Sequence, residues 1–206
     1  MNRYAIIVAG GSGSRMQSEL PKQFIELGNK PILFHTIEAF SKCSPIHLIV
    51  VLPQKDIDLW NQLCKKHDFS IPVKTVIGGK TRFHSVLNGL NSITDKNGLV
   101  AIHDGVRPFI DQDLIENSFT TAKEKLSAVV TVELKDSIRE DKNQQNKALN
   151  RSDYKLIQTP QTFSLKEIKQ AFETPFQDFF TDDASVFEHA GFSIELVNGD
   201  YKNIKL

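Results

Sequence analysis

Residues 4–16 read YAIIVAGGSGSRM, a short apolar run that passes directly into a glycine-rich segment. The run itself, residues 4–9, is rich in aliphatic and β-branched side chains, which is typical of a strand buried on both faces of a sheet. Further runs of this kind are residues 47–52 (HLIVVL), 73–77 (VKTVI), 99–102 (LVAI) and 128–134 (AVVTVEL). We predict that each forms a strand in the core of one sheet.

The segments between these runs have the periodicity of amphipathic helices. In residues 111–126 the apolar side chains recur at i, i+4, i+7 and i+11, and residues 31–42 follow a similar pattern. This spacing places the apolar side chains on one helical face. Strands that alternate with helices of this length indicate βαβ units. We therefore predict an α/β, Rossmann-like fold with a largely parallel twisted sheet and helices on both faces.

The alternation stops at a polar stretch, residues 135–153 (KDSIREDKNQQNKALNRSD). Nineteen residues with almost nothing to bury would be an unusual loop inside a compact domain. We predict a hairpin arm that leaves the body of a single domain, residues 1–206, and reaches a second subunit. The chain then re-enters with residues 155–163. We expect a helix opened by a capping box at 164–167 (SLKE), a helix over 181–190 ending at Gly191, and a strand at 193–197.

The bulk composition excludes several classes of protein. Lys plus Arg and Asp plus Glu both number 25, so the neutral chain offers no charge argument for binding nucleic acid. No apolar run approaches the roughly 20 residues that cross a bilayer, so we expect no membrane partner. Cys43 and Cys64 have no CxxC spacing and the six histidines have no i, i+4 pair, so we expect no protein metal site. Plain thiols predict a cytoplasmic protein.

The glycine-rich segment after the first strand predicts a phosphate-binding loop. Glycines there let the backbone approach a ligand and point successive N–H groups at phosphate oxygens. The segment fails the dinucleotide pattern because Met16 occupies the third glycine position, and Gly79-Lys80-Thr81 supplies only the tail of a Walker A loop. Two cations, Arg15 and Lys22, flank the loop. The alternative is an ordinary glycine turn beside two solvated basic side chains.

A second polar cluster, residues 103–108 (HDGVRP), follows the predicted strand at 99–102. Asp104 suits a magnesium ion or a polar substrate, and Arg107 suits bidentate capture of a phosphate. The alternative is a structural Asp–Arg pair with His103 packed in the core. Another glycine turn, residues 78–79, leads into a predicted helix that carries Ser85 on its first turn.

Nine short motifs occur in one order along the chain: GGSGSRM (10–16), PKQ (21–23), GGKTRFHS (78–85), HDGVRP (103–108), KDSIR (135–139), NR (150–151), QTPQTF (158–163), TDDAS (181–185) and NIK (203–205). Together they resemble the 2-C-methyl-D-erythritol 4-phosphate cytidylyltransferases, from residue 4 to residue 205. These are nucleotidyltransferases of the non-mevalonate isoprenoid route. The combination is specific to the family, although no single motif is.

The resemblance implies a role for each matching residue. The residues expected around CTP are Ala9, Gly10, Gly11, Ser12, Gly13, Gly79 and Ser85. Those expected in catalysis are Arg15 and Lys22, on the reacting phosphates, and Arg151 and Lys205, on the phosphate of the second substrate. The residues expected around methylerythritol phosphate are Asp104, Arg107, Ser137 and Thr181. Ser137 stands where many members carry Thr, and either residue supplies a hydroxyl.

The resemblance also implies a cofactor and a partner. We expect Mg²⁺ bound mainly through the CTP phosphates, and a homodimer whose arms interlock and complete shared sites. Members continue past the NIK motif through another helix, so we expect further residues beyond Leu206 in a complete chain. The choice of CTP over UTP rests on the resemblance alone.

Two other functions stay open. A cytidylyltransferase for another polyol phosphate, such as ribitol 5-phosphate, would look alike, although KDSIR at 135–139 is more similar to the methylerythritol branch. A nucleotide-binding regulatory module that has lost catalysis is the alternative of another class. The chain shows no Ser–His–Asp or paired-carboxylate pattern. This agrees with phosphate chemistry, because a phosphate monoester is largely dianionic near neutral pH and needs no general base.

Overall fold

The computed structural model describes residues 1–10, 20–43 and 45–206. Its strands are β1 (Arg3–Val8), β2 (Glu26–Leu27), β3 (Lys30–Pro31), β4 (His47–Leu52), β5 (Lys74–Ile77), β6 (Leu99–Asp104), β7 (Ser127–Glu133), β8 (Ile138–Lys142), β9 (Gln145–Leu149), β10 (Lys155–Ser164) and β11 (Leu196–Asn198). Its α-helices are α1 (Ile32–Ser41), α2 (Ile57–Lys66), α3 (Arg82–Asn91), α4 (Gln112–Lys125), α5 (Leu165–Ala171) and α6 (Asp183–His189). Single 3₁₀ turns lie at Lys22–Phe24, Gln54–Asp56 and Arg151–Asp153.

In the described part of the chain, seven strands form the main sheet in the order β11-β7-β10-β6-β1-β4-β5. The neighbouring strands are parallel except at β10, which runs antiparallel to both β6 and β7. This confirms the largely parallel sheet. The chain adds β4 and β5 on one side of β1 and then places β6 on the other. Open α/β sheets bind ligands at the carboxyl ends of the strands at such a reversal.

Each face of the sheet is covered by its own apolar cluster, because alternate side chains of a strand point to opposite faces. On one face, Ile7 of β1 packs in a cluster with Phe34 of α1, Trp60 of α2 and Phe119 of α4. On the other face, the buried side chains of β1, α3, α5 and α6 include Ile6, Leu90, Ile168 and Phe187. Helices on both faces are therefore confirmed. No helix among the described residues combines the length and the apolar character needed to span a bilayer.

The polar stretch folds as a hairpin. Strands β8 and β9 pair antiparallel with each other and form a sheet separate from the main one. Asn143 and Gln144 make the turn with φ values of 51° and 62°, as expected for the two-residue turns that match the twist of a hairpin. All residues from 139 to 153 are exposed except 140 and 149, which are partly buried. The contact of this arm with a second subunit stays a prediction.

The capping box predicted at 164–167 is wrong. Ser164 belongs to β10, its N–H donates to the carbonyl of Leu126 at 2.8 Å, and its side chain caps no helical N–H. The N–H of Leu165 donates to the carbonyl of Gly98 at 2.9 Å, so backbone acceptors satisfy the start of α5. A capping box occurs instead at α6, where the Asp182 carboxylate accepts from the N–H of Ser185 at 2.9 Å.

The remaining boundaries differ little from expectation. Helix α6 ends at His189, and Gly191 follows it with φ of 88°, which agrees with the predicted stop. The strand predicted at 193–197 is Leu196–Asn198, which pairs with β7. Strand β6 is longer than predicted and includes His103 and Asp104, so the polar cluster begins inside the strand rather than after it.

Candidate active site

The carboxyl ends of four strands meet at one edge of the sheet. Val8 pairs in register with Asp104 on β6 and with Val51 on β4, and Leu52 pairs with Ile77 on β5. The segments that leave these strands are then tied together by backbone hydrogen bonds. The N–H groups of Ala9, Gly78 and Gly105 donate to Val51, Leu52 and Val8 at 2.9, 2.8 and 2.8 Å. The glycine loop and the HDGVRP segment therefore begin side by side.

Two of the residues assigned to CTP, Gly10 and Gly79, lie close to Ser85. Its hydroxyl accepts from the N–H of Gly79 at 3.1 Å and donates to the carbonyl of Thr81 at 3.0 Å. A Cβ on Gly10 would lie 3.8 Å from the same hydroxyl, and a Cβ on Gly79 would lie 2.3 Å from the Cβ of His84. Only glycine therefore fits at position 79 without moving the start of α3. Gly11, Ser12, Gly13 and Arg15 lie outside the described residues.

The Asp104 carboxylate faces three cations. Its Oδ2 lies 3.2 Å from Nε of Arg107 and 3.1 Å from Nζ of Lys205, while its Oδ1 lies 3.7 Å from Nε of Arg82. The Asp104 side chain is only 10% exposed. Burial alone would raise the pKa of Asp104, but Arg82, Lys205 and Arg107 outweigh it and lower this pKa to about 2. Asp104 is therefore a fixed negative charge within a net positive cluster.

The end of the chain brings Lys205 to this cluster. Asn203 is fully buried, and its side-chain amide donates to Gln158 at 3.1 Å and to the carbonyl of Thr159 at 2.8 Å. The carbonyl of Asn203 accepts from Nη1 of Arg107 at 2.8 Å, which binds the same segment to the HDGVRP loop. Two residues further on, the ammonium of Lys205 reaches Asp104 and remains about half exposed.

His103 is a core residue. The ring is fully buried, and its Nδ1 and Nε2 lie 3.0 Å from the hydroxyl of Thr159 and 3.2 Å from the carbonyl of Arg107. Because a carbonyl only accepts, Nε2 carries the proton and Nδ1 accepts from Thr159. Burial lowers the pKa of His103 to about 4. The alternative interpretation of a packed His103 and a paired Asp104 and Arg107 describes these contacts, and a paired cluster can still bind a phosphate.

The buried, neutral His103 predicts an acid-sensitive fold. Its pKa is depressed on folding, so the unfolded chain gains a proton between pH 6.5 and 4 while the folded chain does not. Stability therefore falls as the pH drops through this window, by about 2 kcal/mol between pH 7 and pH 5. Urea unfolding at the two pH values measures the loss. His103→Gln should lack this component, whereas the exposed His189→Gln should keep it. An equal pH dependence in both variants would contradict the assignment.

Lys22 lies at the start of a pinned turn. The turn is held by Phe24, which is fully buried, and by Gln23, whose Nε2 donates to Oδ2 of Asp56 at 3.1 Å. Lys22 itself is partly exposed. Among the described residues, no carboxylate lies within ion-pair distance of its ammonium.

Three of the predicted substrate residues remain separate from the Asp104 cluster in a single chain: Arg151 and Ser137 on the arm, and Thr181 before α6. Arg151 donates from Nη1 to the carbonyl of Lys135, across the base of the hairpin. Ser137 is exposed in the same region. Thr181 is also exposed and lies directly before Asp182, the N-cap of α6. Within the described part of the chain, none of the three makes a side-chain contact with Asp104 or its cations.

Sequence reasoning missed two residues of the site, Arg82 and Asp183. Arg82 faces Asp104 and also forms two hydrogen bonds with Asp183, at 2.8 and 2.7 Å. Both residues stand in motifs quoted above, GGKTRFHS and TDDAS, but 101 positions separate them. The signal available was that each motif contains a charged residue without an assigned role.

Comparisons with known proteins agree with one another. The family model for 2-C-methyl-D-erythritol 4-phosphate cytidylyltransferase matches residues 4–206. The protein of that name from Bacteroides thetaiotaomicron is 44% identical over 207 residues, which cover 100% of this chain and 94% of the relative. The protein of the same name from Azobacteroides pseudotrichonymphae is 46% identical over 206 residues, which cover 99% of this chain and 92% of the relative. The crystal structure of 4-diphosphocytidyl-2C-methyl-D-erythritol synthase from Anaerococcus prevotii matches with a TM-score of 0.86 and 29% identity, covering 100% of this chain and 90% of that one.

Proposed function

Because the chain belongs to the family of 2-C-methyl-D-erythritol 4-phosphate cytidylyltransferases, we propose that its sheet edge at Asp104 transfers CMP from CTP to 2-C-methyl-D-erythritol 4-phosphate. The products are CDP-methylerythritol and pyrophosphate, and the step serves the synthesis of isoprenoid precursors. One arrangement supports this site above all. The carboxylate of Asp104, ringed by Arg82, Arg107 and Lys205, stands beside the end of β1, where the glycine loop begins.

The reaction joins two polyanions. A phosphate oxygen of methylerythritol phosphate attacks the α-phosphorus of CTP and forms the new P–O bond. The bond between the α-phosphorus and the bridging oxygen of the β-phosphate breaks, and pyrophosphate leaves with that oxygen. No proton has to be removed, because the attacking phosphate monoester is already largely dianionic near neutral pH. Positioning and charge stabilisation are therefore the main requirements of the site.

The cations are distributed to meet this requirement. Lys22, at the end of the glycine loop, and Arg15 stabilise charge on the reacting phosphates of CTP. Lys205 and Arg151 hold the phosphate of methylerythritol phosphate for attack. The other residues around that substrate are Asp104, Arg107, Ser137 and Thr181. The pairing of Lys205 with Asp104 supports this assignment. Asp104 positions the ammonium at the cluster, and about half of the Lys205 side chain remains exposed to solvent.

The nucleotide lies along the backbone around Ser85. Ala9 and Gly10 leave β1 beside this hydroxyl, and Gly79 donates its N–H to it. The absence of a side chain at Gly10 lets a ligand approach the backbone closely, whereas at Gly79 it makes room for the start of α3. Gly11, Ser12 and Gly13 continue the same loop in sequence and complete the proposed CTP site.

The proposed cofactor is Mg²⁺, bound mainly through the phosphate oxygens of CTP. Bound there, the ion neutralises part of the charge on the phosphates and so favours attack. Both oxygens of Asp104 already face cations, so this carboxylate does not offer a free pair of oxygens to the ion.

We further propose a homodimer in which the arm completes the partner's site. Arg151 and Ser137, both assigned to substrate, lie on the arm rather than at the Asp104 cluster of their own chain. Tyr154, Leu156 and Ile157 follow the arm and are 42%, 51% and 43% exposed. Apolar side chains exposed side by side are typical of a surface that another chain covers.

Cytoplasmic location, with no nucleic acid or membrane partner, is part of the same proposal. Cys43 and Cys64 are both free in the structure. Burial raises the pKa of each thiol to about 11, so neither has the low pKa of a reactive or metal-binding cysteine. Unreactive, unpaired thiols suit a reducing compartment.

The choice of substrate is tested by measuring pyrophosphate release. The protein is incubated with CTP, Mg²⁺ and either methylerythritol phosphate or ribitol 5-phosphate, and the two kcat/KM values are compared. We expect methylerythritol phosphate to be preferred. Preference for ribitol 5-phosphate would support the other polyol phosphate branch, and release with neither would support the inactive regulatory module.

Arg151→Ala should weaken binding of the polyol phosphate and leave CTP affinity nearly unchanged. The bidentate contact between the guanidinium and the phosphate would be lost, because alanine offers no donor in its place. Titration of CTP alone and KM for each substrate separate the two effects. Arg139→Ala is the matched control, since Arg139 lies on the same hairpin and its side chain donates to Asn146 at 2.7 Å, away from the Asp104 cluster. Arg107→Ala should also spare CTP. A large fall in CTP affinity in either variant would mean that the subsites are reversed.

A further inference from the structure

Arg82, the first residue of α3, joins two buried carboxylates. Its Nη1 and Nη2 donate to the two oxygens of Asp183 at 2.8 and 2.7 Å, and the Asp183 side chain is only 1% exposed. Two parallel N–H···O bonds fix the plane of a guanidinium as well as its distance. The direction of the third donor, Nε, is therefore fixed too, and Nε lies 3.7 Å from Oδ1 of Asp104.

The three cations around Asp104 are divided between its two oxygens. Arg107 and Lys205 both contact Oδ2, whereas Arg82 alone faces Oδ1. Arg82 therefore attracts Oδ1 as a positive charge at 3.7 Å, whereas Arg107 and Lys205 bind the other oxygen directly. Burial of Arg82 would lower its pKa, but the carboxylates of Asp183 and Asp104 raise it above its ordinary value, so the guanidinium stays charged.

Asp183 is itself held rigidly, which makes it a firm anchor for Arg82. It begins α6, and the neighbouring residues of that helix are bound to Gln161 on β10. The Gln161 side chain donates to Oδ2 of Asp182 at 2.8 Å and accepts from the N–H of Ala184 at 2.9 Å. Arg82 is thus fixed from the side of α6, with its Nε 3.7 Å from Oδ1 of Asp104.

The segments that Arg82 joins carry residues assigned to both substrates. Ser85 lies one turn further along α3 and belongs to the CTP site, whereas Thr181 lies two residues before Asp183 and belongs to the polyol phosphate site. We propose that Arg82 is a positioning residue that, through its bidentate pair with Asp183, fixes the Asp104 carboxylate between the two subsites. This inference rests on the role given to Asp104 in the proposed function.

The test uses the double variant Arg82→Gln/Asp183→Asn. Removing both charges avoids an unpaired buried carboxylate, which favours folding, and the two amides can still hydrogen-bond. We expect a fall of about 100-fold in kcat/KM, because a small displacement of a positioning group has effects of that size. KM should rise for both CTP and methylerythritol phosphate. The matched control is Arg3→Gln/Glu116→Gln, which removes a 2.6 Å ion pair at the amino end of β1 and should leave both KM values unchanged.

A second variant keeps the test decisive if the double variant does not fold. Arg82→Lys retains the charge beside Asp183 but cannot form two parallel bonds and face Asp104 at once. It should show the same rise in both KM values with a smaller fall in kcat/KM, about tenfold. Wild-type kinetics in a folded Arg82→Lys protein would overturn the inference, as would a rise in KM for only one substrate in either variant.

Asp104→Asn distinguishes failure of this inference from failure of the proposed function. If Asp104→Asn impairs catalysis while the folded double variant keeps wild-type kcat and KM, the role proposed for Asp104 stands. The inference that Arg82 positions Asp104 then fails. If Asp104→Asn is itself fully active, the role proposed for Asp104 fails, and the inference about Arg82 fails with it.

Discussion

Lys22→Ala is expected to lower kcat by about 100- to 1,000-fold, or roughly 3–4 kcal/mol, because it removes a cation that meets charge developing in the transition state. The fall should appear mainly in kcat rather than in KM, since an interaction strongest in the transition state contributes less to ground-state binding. Steady-state pyrophosphate release at saturating CTP and methylerythritol phosphate measures it.

The fold should survive this substitution. The turn at Lys22 is held by the buried Phe24 and by the bond between Gln23 and Asp56, neither of which involves the Lys22 side chain. Lys66→Ala is the control, because Lys66 is an exposed lysine at the end of α2 that pairs with Glu26. Equal activity of the Lys22→Ala protein and the wild type would remove Lys22 from the mechanism.

At a methylerythritol phosphate concentration too low to occupy the Arg151→Ala site, mixing Lys22→Ala with Arg151→Ala is expected to restore about a quarter of wild-type activity. If the arm crosses to the partner, each site combines Lys22 from one subunit with Arg151 from the other. A mixed dimer of Lys22→Ala and Arg151→Ala then has one doubly altered site and one intact site. Co-refolding equal amounts makes about half of the dimers mixed, given random pairing in a two-fold dimer, so roughly one site in four is intact.

The control for this experiment pairs Lys22→Ala with Lys205→Ala. Lys205 contacts Asp104 of its own chain, so Lys22 and Lys205 should serve the same site. Every site in that mixed dimer carries one substitution, so no activity should be restored. Subunit exchange is checked in both mixtures by mass spectrometry of the native dimers. If the Arg151 mixture stays inactive although exchange is confirmed, the shared site is contradicted.

Much of the sheet could be predicted because buried parallel strands leave a strong pattern. β4, His47–Leu52, has the bounds predicted from its apolar run. The direction of β10 could not be predicted, since an apolar run has the same composition whether its neighbours run parallel or antiparallel. Helix α2 was not identified individually because Trp60 is its one fully buried side chain and the rest of its apolar face is only partly covered.

The candidate site was predicted in part, for a similar reason. Short motifs at the carboxyl ends of strands identify Gly79, Ser85, Asp104 and Arg107, and the structure brings the first two together and pairs the last two. Contacts between distant motifs are not visible in a sequence. Lys205 lies about a hundred residues from Asp104, and its contact depends on the burial of Asn203 at the end of the chain.

The reaction itself is tested most directly by following each phosphorus atom of CTP. The protein is given methylerythritol phosphate, Mg²⁺ and CTP labelled either at the α-phosphorus or at the γ-phosphorus. We predict that the α-label appears in a diphosphate linked to methylerythritol and that the γ-label appears only in pyrophosphate. Transfer of the γ-label to methylerythritol phosphate, or release of the α-label as free CMP without a polyol product, would contradict cytidylyl transfer at this site.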